Sequence, residues 1–425
     1  MSTAWLRRMF ERGWVSDESR KLPNTIARAA IAAALVGSGA ISLAPRPAWA
    51  QQASPAAATP ATPAQSASPA PAPEEAKVLA LVERMTNAVL ATDIAAYISC
   101  VDKADPVFLQ EQKNWAKDLD RKPVAEFSIA AAKFRAQSEG EIIADLTMTW
   151  KLKGSESARS LKYAGRFVDR KGEWLYAGEN WKVLERDNIK VFFDEGRENV
   201  AGIAADVLPA IRAHVHEGFA LTIDRVQEVK LYSSMQHLQQ SIYLSYTDGI
   251  SGWNEPGESI KMVASAHPDK EGLTSVLAHE YGHVCTFELG PKANEAPWWV
   301  LEGVAELSSE HYADKGQFAQ RAVRRMAKSG RLREWDALSD FHNTKQADMQ
   351  MVYTQGHAML GYISERFGRE KRVVWLKAMA TGSSLDVASK AAFDLSFAEV
   401  DRQWRDSLLP QEEAAPAPAE PASKE

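Results

Sequence analysis

Leu273-Thr274-Ser275-Val276-Leu277-Ala278-His279-Glu280-Tyr281-Gly282-His283-Val284-Cys285-Thr286-Phe287-Glu288-Leu289 is the stretch on which the reading of the whole chain turns. Leu273, Val276, Leu277, Val284 and Phe287 recur at helical spacing, and Gly290-Pro291 closes the run. On one helix, residues four apart share a face, so His279 and His283 point the same way. Two imidazoles so placed can grip one Zn²⁺, with Glu280 beside the metal as a base. A buried helix carrying two histidines and a glutamate must satisfy them, and coordination does so. Cys285 follows on the same helix but faces another way, and reads as small apolar filler.

Working outward, Pro297 precedes Trp298-Trp299-Val300-Leu301-Glu302-Gly303-Val304-Ala305-Glu306, which predicts a second helix. Eighteen residues separate His283 from Glu302, enough for the chain to turn and return alongside. Glu302 then offers the third metal ligand. Glu306, one turn later, would accept the distal N–H of a ligand histidine and fix its tautomer. A third helix is predicted over Met349 to Phe367. It carries Tyr353 and His357 four apart, both placed to donate a hydrogen bond to an oxyanion. His311 reads as a surface or capping histidine.

Upstream, Ile189–Phe193 is a short predicted strand and Asn199–Phe219 a helix with Val200, Ile203, Ala204, Val207 and Ile211 on one face. Val229–Tyr232 and Ile260–Ala264 read as further strands. Gly249, Gly252, Pro256 and Gly257 punctuate the loop between those two. Residues 187–409 therefore predict a small sheet followed by a helical subdomain.

HEYGH, the spacing to Glu302 and the Trp-Val-Leu-Glu-Gly-Val-Ala-Glu string resemble the gluzincin metallopeptidases, in particular the peptidase MA-like families. The resemblance covers roughly Asp187 to Leu409. It implies His279, His283 and Glu302 on zinc, Glu280 as general base and Tyr353 as the usual oxyanion donor. It also implies that Ile260–Ala264 is an edge strand pairing with an extended peptide or protein substrate. One departure stands out. Aminopeptidases of this group carry a Gly-x-Met-Glu-Asn-type strand, and the stretch compared here, Gly257-Glu258-Ser259-Ile260-Lys261-Met262, lacks the Met-Glu-Asn. No aminopeptidase assignment follows.

Residues 76–186 form a separate predicted unit, making the chain α+β overall. It opens with a helix whose Val78, Leu81, Val82, Met85, Val89 and Leu90 recur at helical spacing. The period then changes to two through Ile142–Trp150, Tyr163–Val168 and Trp174–Leu184, with a turn at Lys171-Gly172. Helices followed by an antiparallel meander resemble the NTF2-like α+β cone. This segment holds no histidine and no carboxylate pair placed for catalysis. It predicts an accessory domain, one that could recruit an envelope protein partner.

The ends carry different signals. Residues 1–50 read as a signal peptide: Arg7 and Arg8, a largely apolar Ile26–Ala44, then Ala48-Trp49-Ala50. The product would be exported, periplasmic or extracellular. An uncleaved anchor is the alternative, and Arg28 interrupts it. Residues 51–75 and 410–425 are Ala/Pro-rich and too poor in bulky apolar side chains to offset ordering entropy. The 425 residues carry a net charge of −6 without a long basic run, which excludes a nucleic-acid footprint. Two cysteines are too few for a disulfide framework. Three functions fit: a zinc metallopeptidase, a non-catalytic zinc-binding envelope module, or a zinc amidase acting on a cell-wall fragment.

Overall fold

The computed structural model describes residues 72–247 and 249–409. The predicted signal peptide, most of the 51–75 linker and the 410–425 tail lie outside the described residues. Among those described, no helix is long and apolar enough to cross a membrane.

Three helices open the first unit: α1 (Pro73–Leu90), α2 (Ile94–Ser99) and α3 (Pro106–Arg121). Val78, Leu81, Val82, Met85 and Val89 of α1 are buried as their spacing predicts, whereas Leu90 is exposed. Asp105 caps α3, accepting hydrogen bonds from the N–H groups of Val107 and Phe108. The antiparallel sheet that follows has the order β1 (Val124–Ser138), β2 (Glu141–Leu152), β3 (Arg159–Arg170), β4 (Glu173–Glu179). In β2, Ile142, Ala144, Leu146, Met148 and Trp150 are all buried, the two-residue period of a strand with one face on a core. That core is closed by the helices.

The second unit is built on a five-stranded mixed sheet. Its order is β5 (Lys182–Arg186), β6 (Ile189–Phe193), β7 (Gln227–Tyr232), β9 (Ile260–Val263), β8 (Gly252–Trp253). The β6–β7 pair is parallel, as is β7–β9. Parallel neighbours need a crossover, which α4 (Glu198–Phe219) supplies between β6 and β7. Short α5 (Met235–Ile242) lies between β7 and β8. After β9 the chain is helical: α6 (Lys270–Phe287), α7 (Trp298–Ser309), α8 (Gly316–Lys328), α9 (Met349–Phe367), α10 (Arg369–Ala380), α11 (Leu385–Phe393) and α12 (Phe397–Leu408). A mixed α/β chain results, with an antiparallel-sheet unit first and a largely helical unit after it.

Two expectations are corrected here. The run Trp174–Leu184 is not one strand. It breaks at Asn180-Trp181, and β5 crosses into the second sheet, pairing with β6. Nor is Ile260–Ala264 an edge: β9 is hydrogen-bonded to β7 on one side and β8 on the other. At that end of the sheet the terminal strand is β8, only two residues long.

Candidate metal centre

Helix α6 is buried along almost its whole circumference from Leu273 to Thr286, as befits the central helix of a helical layer. Gly282 sets its distance from α7. A Cβ there would lie 2.8 Å from Ser308 Oγ and 3.0 Å from the Ala305 Cα, so only glycine lets the two helices approach this closely. That approach carries Glu302 to the histidines.

His279, His283 and Glu302 each present one ligand atom, all within 4.8 Å of one another. Glu302 Oε2 lies 3.2 Å from His279 Nε2 and 3.6 Å from His283 Nε2. Donors about 2.0–2.1 Å from a tetrahedral zinc stand roughly 3.3 Å apart, so these spacings suit one shared ion. A second observation bears on the fit. Glu302 Oε2 is buried and makes no hydrogen bond beyond the His279 and His283 imidazoles that face it, so a cation, as a proton or a metal ion, must offset its charge. The other oxygen, Oε1, accepts from Trp298 Nε1 at 2.8 Å and is held in place. The donor set and the buried oxygen facing both imidazoles fit zinc.

Glu306 lies beneath His279, with Oε1 3.4 Å from Nδ1. Its other oxygen meets Lys315 Nζ at 3.1 Å. Lys315 also donates to Ser309 Oγ. The sequence reading missed Lys315, which arrives just before α8 with no spacing signal. Trp298 was legible in principle, one helical turn before Glu302.

The electrostatics match this geometry. Burial disfavours the charged form of His279, but Glu302 and Glu306 outweigh it and hold the imidazolium up to about 10. Burial likewise opposes ionisation of Glu302, yet the His283 and His279 imidazoles pull its carboxyl down to about 2. Without metal, His279 therefore holds a proton at neutral pH that an incoming ion must displace. Zinc binding at pH 7 is expected to release about one proton per ion, and affinity to fall about tenfold per unit of acidification. Calorimetry in buffers of differing ionisation enthalpy measures this. No proton release at pH 7 would mean a neutral His279.

Glu280 is buried beside this cluster and makes no part of the ligand triangle. Burial pushes its carboxyl above the ordinary range, against the pull of both histidines. It lies directly under β8: a Cβ on Gly252 would come 2.4 Å from Glu280 Oε1. The terminal strand of the sheet thus passes over the carboxylate, and glycine is what permits it. The stretch Gly257–Met262, compared above with the aminopeptidase strand, instead leads into interior strand β9, with Glu258 bonded to Asn114 and Lys261.

Helix α9 brings Tyr353 to the cluster, its ring centroid 6.3 Å from that of His279 and 6.1 Å from that of Trp298. Burial, then Glu302, raises the phenol well above its ordinary value, so it is a neutral donor. His357 lies one turn further along, where Nε2 meets Glu310 Oε2 at 3.1 Å. It is not among the three residues that converge. His311 is stacked on His214, with centroids 4.7 Å apart. Cys285 is buried and unpaired.

No family model matches the chain, and no curated protein matches it. Solved structures do. An M1 zinc metallopeptidase from Deinococcus radiodurans is 15% identical over 68% of this chain and 64% of its own, with a TM-score of 0.37. The chain thus spans slightly under two thirds of that protein. An NTF-2 like protein of unknown function from Shewanella oneidensis MR-1 is 10% identical over 24% of this chain and 94% of its own, with a TM-score of 0.20. Such partial likenesses assign no activity, and the functional reading rests on the site itself.

Proposed function

We propose that this chain is a zinc-dependent metallopeptidase, a hydrolase in which His279, His283 and Glu302 hold the metal and Glu280 is the general base. The observation that carries the reading is the convergence of three donor atoms, one a buried carboxylate oxygen facing both imidazoles, next to a fourth, uncommitted buried carboxylate. Zinc bound there would act as a Lewis acid and lower the pKa of water to about 7.

The protein's own groups supply the rest. An extended peptide adds to the outer edge of β8 by strand pairing, which brings its carbonyl past Gly252 and over Glu280. Glu280 takes the proton of the attacking water and returns it to the leaving amine. Its raised proton affinity suits both steps. Tyr353, neutral and beside His279, donates to the developing oxyanion. Glu306 holds His279 Nδ1 and so fixes which ring nitrogen faces the donor cluster. His357, one turn beyond Tyr353 and bonded to Glu310, is the second candidate donor on α9. The charged and apolar N-terminal stretch makes export to the periplasm or beyond part of the same proposal.

Mass-spectrometric profiling of a mixed peptide library tests it. The purified protein, with about one zinc per chain, is expected to cleave internal peptide bonds and to lose that activity to a chelator. A zinc-loaded protein inert towards the whole library would leave the non-catalytic module or the amidase in its place.

A further inference from the structure

Helix α3 belongs to the N-terminal unit, yet one of its faces is committed to the other unit. Glu111, Asn114, Trp115 and Asp118 fall at i, i+3, i+4 and i+7, a single helical stripe. Trp115 also belongs to the core of its own unit, but in a free-standing domain the polar Glu111, Asn114 and Asp118 would be solvated. Here Glu111 is bonded to Lys230 and Ser259, Asn114 Nδ2 donates to Glu258 Oε1 at 2.7 Å, and Trp115 Nε1 donates to the Gln240 carbonyl at 3.0 Å. Asp118 accepts from Ser245 Oγ at 2.5 Å. The sheet of the same unit contributes two more ties. Trp150 Nε1 donates to the Leu244 carbonyl at 3.0 Å. Arg159 donates to the Tyr246 carbonyl and to Gln239 Oε1, both at 3.0 Å.

Lys230, Gln236, His237 and His342 also bond to the N-terminal unit, through Glu111, Ser160, Glu179 and Arg121, but the other partners on the far side lie between Gln239 and Ser259. That segment carries β8, the strand over Glu280. The ties bracket it, with Gln239, Gln240, Leu244, Ser245 and Tyr246 before the strand and Glu258 and Ser259 after it. A two-residue strand bonded on one side only has little hold of its own. We propose that the N-terminal unit is a positioning element of the active site, clamping both ends of the 239–259 segment so that β8 stays aligned over Glu280. Arg159 is the positioning residue whose loss isolates the effect, since it reaches two anchor points and is not part of the buried Glu111–Lys230 pair. This rests on the metallopeptidase reading only for its kinetic consequence.

The test uses the full-length protein. In Arg159→Ala, KM for a peptide identified by library profiling is expected to rise about tenfold with kcat within about twofold, the pattern of lost uniform binding. Amide hydrogen exchange at Gly252 and Trp253 should speed up, with zinc content unchanged. Arg159→Lys, which keeps one donor, should restore part of both. Arg135→Ala, removing an exposed pair with Asp145 on the same unit, should alter neither. Unchanged KM and unchanged exchange in Arg159→Ala would overturn the proposal. Faster exchange in a protein that cleaves no peptide would uphold the clamp and remove the peptidase reading, so the two failures are distinguishable.

Discussion

Glu280→Gln is expected to lower kcat/KM by about 10²–10⁴-fold, the usual contribution of a positioned general base, or roughly 3–5 kcal/mol of barrier. The amide has the shape of the carboxylate, so it fits under Gly252 of β8, where little space is spare. It cannot take a proton from water. Zinc should remain at about one per chain, because the converging donors are His279, His283 and Glu302. Glu302→Gln, by contrast, removes a charged ligand and should lose the metal together with activity. Elemental analysis and peptide kinetics on the two variants separate the roles. Full activity in Glu280→Gln would take Glu280 out of the mechanism.

What made this site legible was periodicity. A pair of histidines four apart, and a glutamate at the head of a helix that must return alongside, are local patterns that helix geometry converts directly into proximity. Met349–Phe367 was predicted with both ends where they lie. The sheet was less legible for a physical reason. Strand alternation says that one face is buried, not in which sheet, so Trp174–Leu184 read as one strand although it changes sheet near Trp181. A two-residue strand such as β8 has no period at all, and the edge role that the family resemblance implies was placed on the more apolar Ile260–Ala264. Fully buried strands are what interior positions look like, and β9 is buried at all four of its residues. The ties from Arg159 and α3 are pairings across long stretches of chain, which no local pattern encodes.

Gly356→Val should be the most destructive change outside the metal ligands. A Cβ on Gly356 would lie 2.4 Å from the Trp299 carbonyl oxygen, and one on the facing Gly303 would lie 2.7 Å from the Gly356 carbonyl. Helices α7 and α9 therefore touch backbone to backbone, and an ordinary contact of about 3.5 Å would need roughly 1 Å of separation. Neither neighbour is a flexible side-chain tip, so the helices must move. Trp299 is one turn before Glu302 and Tyr353 one turn before Gly356, so the movement falls on a ligand and on the oxyanion donor together. The cost should reach about 3 kcal/mol of stability, the upper range for overpacking. A displacement of that size at the site can also take about 10²-fold from the rate. Gly361→Ala on the same helix is the control. Its Cβ would meet only Gln320 Nε2 at 3.6 Å, so it should be neutral or stabilising by up to about 1 kcal/mol. Thermal melts and zinc content of the two variants decide the matter. If Gly356→Val melts with the wild type and keeps its zinc, the close α7–α9 contact is not what holds Glu302 and Tyr353 at one centre.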